Sequence, residues 1–96
     1  MNESIRWQFL NIIDNAIAEA EMVIRDAKMR GVSWLEEDAC MAKNNFEEIK
    51  RQLLAGELPR SEGAGLGITR GLSEMGAPDD LYKAGKELED FYLSNW

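Results

Sequence analysis

Carboxylates are the commonest reactive groups in this chain, and they come in adjacent sets: Glu36-Glu37-Asp38, Glu47-Glu48, Asp79-Asp80 and Glu87-Leu88-Glu89-Asp90. Converging carboxylates can hold magnesium or act as an acid–base pair. Neighbours in a helix, however, point to different sides, and only spacings of three or four share a face. Glu87 and Asp90 have the E-x-x-D spacing that all-α nucleotide pyrophosphohydrolases pair with an E-x-x-E on a second helix. No E-x-x-E exists in this sequence. A solvated acidic face with ion pairs one turn apart (Glu47 with Arg51, Glu21 with Arg25, Asp26 with Arg30) is the better expectation, and a metal-dependent nucleotide hydrolase ranks third among the functional readings.

Nucleophilic catalysis has little to build on. The chain has no histidine and one cysteine, Cys40. Cys40 therefore lacks its usual base, and a serine triad lacks its central member. Lys43 lies one turn beyond Cys40, but a helical cysteine is more often a small packing residue. One cysteine without histidine does not make a zinc site. No catalytic residue, metal or cofactor is assigned.

The segment Gly63-Ala64-Gly65-Leu66-Gly67, followed by Gly71, is the most unusual stretch. Phosphate-cradling glycine loops follow a strand and lead into a helix with G-x-G-x-x-G or G-x-x-x-x-G-K spacing. Here Arg70 stands where a third glycine is needed, no strand precedes, and no P-loop lysine follows. Gly63, Gly67 and Gly71 fall four apart, so a helix would line them along one bare face open to close approach. That face is expected to pack on the rest of the monomer. The sharper alternative is a small-molecule or anion site formed by Gly63, Gly67, Arg70 and Gly71 together with Arg60.

With 18 acidic and 11 basic residues the formal charge is −7. Such a surface repels nucleic acid and anionic lipid and favours a partner with a basic surface. A lone cysteine suits a reducing cytoplasm. The N-terminus has no basic leader-like region, and Glu3, Asp14 and Glu19 interrupt any apolar run before membrane-spanning length.

The elements that must position these groups are helices. Ile5, Phe9, Ile12, Ile13, Ala16, Ile17, Ala20, Val23, Ile24 and Ala27 recur at spacings of three and four, one buried arc of a long helix. Asn2 or Ser4 is expected to cap its start, and Gly31 to end it. Ser33-Trp34-Leu35-Glu36 reads as a capping box opening a second helix, with Leu35, Ala39, Ala42, Phe46, Ile49 and Leu53 buried and Gly56 at its end. Two long helices joined by so short a turn fold back as an antiparallel hairpin.

Residues 57–78 form a Gly/Pro-rich connector, in which the four glycines from Gly63 to Gly71 cost a helix roughly 4 kcal/mol relative to alanine. Ile68, Leu72 and Met75 nevertheless keep helical spacing, allowing a short helix from about Leu66 to Met75. A last helix, over 79–96, buries Leu81, Ala84, Gly85, Leu88, Phe91 and Tyr92, with Tyr92 and Trp96 anchoring the tail. The fold class is all-α: a hairpin over 1–56 with one or two shorter C-terminal helices packed on it, in a single domain of 1–96.

Large apolar residues stand off these stripes: Trp7, Met22 and Met29 on the first helix, Trp34 and Met41 on the second. Either the C-terminal segment covers them or another chain does. Together with the incomplete catalytic sets, they make a small acidic cytoplasmic interaction module the first reading. Inhibitors, immunity-type proteins and regulatory adaptors share this profile by class-level analogy. The small core also points to a homodimer, a four-helix arrangement of two hairpins.

Overall fold

A computed structural model describes residues 3–96. It is all-α, with helices α1 (Glu3–Arg30), α2 (Ser33–Ala55), α3 (Ile68–Glu74) and α4 (Asp79–Asn95), and no strand among the described residues. Of the 28 residues of α1, each adds about 1.5 Å, giving roughly 42 Å, which sets the 44 Å long axis of the molecule. α1 and α2 form the hairpin, α4 lies against α1, and α3 packs on α4.

The long stripe divides by burial. Phe9, Ile13, Ala16, Ala20 and Ala27 are buried, flanked by half-buried Ile5, Ile12, Ile17, Val23 and Ile24. Leu35, Ala39, Phe46, Ile49 and Leu53 answer from α2. Gly31 ends α1 with φ 70°, and the Val32 amide reaches back to the Ala27 carbonyl at 2.9 Å, satisfying acceptors that the helix leaves open. Gly56 closes α2 the same way, at φ 72°.

Neither Ser4 nor Ser33 serves as an N-terminal cap. Ser4 lies inside α1, where its hydroxyl accepts from Gln8; Asn2 lies outside the described residues. Ser33 is the first residue of α2, not its cap, and Val32 caps without a side-chain bond. Glu36 faces Lys28 across the turn at 3.8 Å instead. Ion pairs across the seam, Glu21–Lys43 at 3.5 Å and Asp14–Lys50 at 2.7 Å, take partners that sequence spacing within one helix does not reveal. Arg51 likewise pairs with Glu48 and Glu57 instead of Glu47, whereas Asp26–Arg30 forms as expected. Near the open end, Arg6 donates to the Leu54 carbonyl at 3.0 Å, covering part of the α2 C-terminus from α1.

The tail is tied to the connector by its two terminal aromatic residues. The Tyr92 hydroxyl donates to the Pro59 carbonyl at 2.6 Å and the Trp96 indole N–H to the Leu58 carbonyl at 3.0 Å. Phe9 packs its ring 5.2 Å from Phe91 and 5.4 Å from Trp96. The open end of the hairpin is therefore wrapped by connector and α4, while the Gly31 end projects with two helices only.

Candidate docking groove

The glycine segment is not a helix with a bare face. Glu62 and Gly63, at φ 47° and 84°, occupy the centre of a tight turn closed by the Ala64 amide on the Ser61 carbonyl at 2.7 Å, the mirror-image geometry that favours glycine. Gly67 precedes α3 in a left-handed conformation, and only Gly71 lies within the helix. The close approaches fall elsewhere. A Cβ on Gly65 would sit 2.8 Å from the Glu89 carboxylate, and one on Gly85 would collide with Leu72 and lie 3.0 Å from Ile68. Gly85 thus lets α3 seat against α4.

The segment does wrap an anion, and the anion is its own. Glu89 of α4, only 6% exposed, accepts from the amides of Leu66 (2.6 Å), Ile68 (3.2 Å) and Thr69 (2.9 Å) and from the Thr69 hydroxyl (2.5 Å). A carboxylate there satisfies amides that the first turn of α3 leaves without helical partners. Burial pushes the Glu89 carboxyl up, but the bonds from Thr69, Ile68 and Leu66 outweigh it and hold the group below its usual range. The amides that an external phosphate or carboxylate would use are already engaged.

Arg60 and Arg70 are engaged too. The Arg60 guanidinium stacks 4.7 Å from the Trp96 ring centre, and Arg70 pairs with Glu74 at 3.0 Å on the exposed side of α3. The acidic sequence near the C-terminus does not converge either. Asp90 binds Lys86 at 2.9 Å, Glu89 turns inward and Glu87 is exposed. Among the described residues, no three histidine, cysteine or acidic side chains are placed to hold a metal ion.

What the structure brings together is a groove between α2 and α3, of about 510 Å³. Its floor is Phe46, Ile68 and Leu72, all buried. Met41, Ala42 and Asn45 form the α2 wall, and Gly67, Gly71 and Met75 the α3 wall. Asp38 and Glu74 supply the rim, and no lysine or arginine lines it. Asp38 forms no ion pair with any described residue. Two sets of residues that sequence kept apart meet here: Met41 from the off-stripe set, Gly67 and Gly71 from the glycine set.

The other expected site residues scatter. Trp34 lies two turns before Met41 on the same edge of α2, 58% exposed beside Met41 at 70%, which extends the apolar wall toward the hairpin tip. Trp7, Met22 and Met29 are exposed on the outer side of α1, turned away from its buried arc. The C-terminal segment covers none of the five. Gly63 and Arg70 do not line the groove. Sequence reading missed Glu89 as a structural anion and Asp38, Asn45 and Glu74 as groove walls. Glu89 carries a signal: it falls four residues after Gly85 in the buried register of α4, where a solvated carboxylate is out of place.

Fold and groove together define an acidic, hairpin-based helical protein with an open apolar cleft beside its shortest helix. No family model, curated protein or solved structure matches the chain.

Proposed function

We propose that this chain is a non-catalytic protein-interaction module acting in the cytoplasm on a partner with a basic surface. The observation that carries this reading is the α2–α3 groove: a buried apolar floor, exposed Met41 on its wall, and Asp38 and Glu74 on its rim. Apolar area of this kind gains most when another chain covers it. The net charge of −7 steers a basic partner onto it and weakens in salt. Inhibitors, immunity-type proteins and regulatory adaptors work by such coverage, and none of them needs a reacting group.

Affinity capture from the native host at low and high salt tests the reading. A basic protein retained at low salt and released at high salt supports it. Magnesium-dependent nucleotide turnover, lost on replacing Glu87 and Asp90, overturns it. Sedimentation at micromolar concentration addresses self-association: a 10.9 kDa species alone leaves the exposed side chains to a foreign partner, whereas twice that mass assigns them to a second copy.

A further inference from the structure

The groove has a length, a shape and a charge, and together these narrow what fits it. Along α2 it runs from Asp38 to Phe46, eight steps of about 1.5 Å, or roughly 12 Å. Two turns of a helix laid alongside present apolar side chains at i, i+3 or i+4, and i+7 over about that distance. Both walls are helices, and no strand exists among the described residues. No free backbone edge is therefore offered to an extended peptide, and recognition falls to side chains. At Gly71, an added Cβ would meet nothing within 4 Å, so the α3 wall is bare backbone that a partner helix can approach closely. Methionines on both walls, Met41 and Met75, are adaptable contacts.

Resting on the interaction reading above, we propose that the groove receives one amphipathic α-helix of about two to three turns, carrying lysine or arginine beside its apolar stripe. Its apolar side chains lie on Phe46, Ile68 and Leu72, and its cations face Asp38, the rim carboxylate that Arg70, paired with Glu74, leaves open. Charge complementarity selects this occupant. A second copy carries the same −7 and sets acid against acid, and an anionic membrane is repelled for the same reason.

The probe is a fluorescent synthetic helix of about 14 residues with leucine at i, i+4 and i+7 and lysine elsewhere, beside a scrambled peptide of the same composition. Anisotropy titrations and amide chemical-shift mapping on the full chain read the result. Saturable binding is expected, with shifts at Met41, Asn45, Gly71 and Glu74, and with the scrambled peptide weaker by about tenfold or more. Gly71→Leu fills the groove from a position of ordinary helical backbone with open space around it, and is expected to weaken the probe by a similar factor while its thermal melt stays cooperative. Asp38→Lys is expected to weaken it and flatten its salt dependence. No binding, equal binding of the scrambled peptide, shifts confined to another face, or undiminished binding to Gly71→Leu overturns the proposal. A host partner captured equally by wild type and Gly71→Leu removes the groove while leaving the interaction reading intact. Groove binding of the probe with no salt-sensitive host partner removes the reading instead.

Discussion

The two ends of the hairpin are made from the same pair of helices and are held by different means. At the open end, α1 lies between α2 and α4, and its buried residues are large: Phe9 and Ile13 meet Phe46, Leu53, Leu88 and Tyr92 in one cluster. At the Gly31 end only two helices remain, and the buried residues outside that cluster shrink to Ala27 and Ala39, with Leu35. The difference follows from the number of neighbours. A large side chain is buried only where elements surround it, whereas alanines let two helices close on each other without a third. Glu21–Lys43 and Lys28–Glu36 decorate this narrow seam, but exposed pairs contribute little, typically below about 1 kcal/mol. Stability therefore belongs to the open end.

The largest expected effect tests that assignment. Phe9→Ala empties the centre of the aromatic cluster and should cost about 3–5 kcal/mol in urea unfolding. A loss below about 1 kcal/mol would break the comparison.

Next in size is Glu89→Ala, which leaves the Leu66, Ile68 and Thr69 amides without their acceptor and should cost about 3 kcal/mol, with Glu89→Gln retaining part of it. The sign with pH follows from the lowered carboxyl. The unfolded chain takes up the Glu89 proton more readily, so its contribution is complete above the ordinary carboxylate range and is lost as pH falls through the folded value. Urea midpoints from neutral to acid pH should fall more steeply in wild type than in Glu89→Gln. Equal slopes would show that the anchoring of α3 does not depend on this charge.

The glycines sharpen the same contrast between filled and open space. Gly85→Ala pushes into Leu72 and Ile68 and should destabilise by about 1–3 kcal/mol. Gly71→Ala adds a methyl to empty space in a helix interior and should stabilise by about 0.5–1 kcal/mol. Thermal melts of the pair should therefore move in opposite directions.

Much of this architecture was legible because helix periodicity is local. The stripes from Ile5 to Ala27 and from Leu35 to Leu53, and the glycine stops at Gly31 and Gly56, depend only on residues one or two turns apart. The short α3 was visible in Ile68, Leu72 and Met75 despite its glycines. Illegible were features whose partners are far apart in the chain. Glu36 has capping-box spacing with Ser33 but meets Lys28; Glu21 has helix-pair spacing with Arg25 but meets Lys43. Glu89 caps a helix some twenty residues before it, which no local rule encodes. The groove was half legible: its components Met41, Gly67 and Gly71 stood out as residues without local purpose, but their meeting required the connector to turn α3 back beside α2.

The smallest expected effect concerns the outer side of α1. Met29 is 87% exposed, and nothing in the monomer rests on it. Met22→Gln and Met29→Gln should each change stability by less than about 0.5 kcal/mol, because a side chain already in water forfeits little when it becomes polar. Hydrogen exchange provides the companion measurement. Amides near Gly31 should open at lower free energy than those beside Phe9 and Phe46, since the tip lacks a third helix. If Met29→Gln proved costly, or if the tip exchanged as slowly as the aromatic cluster, something would be covering it in solution. A second copy is then the simplest cover, and the concentration dependence of both measurements would reveal it.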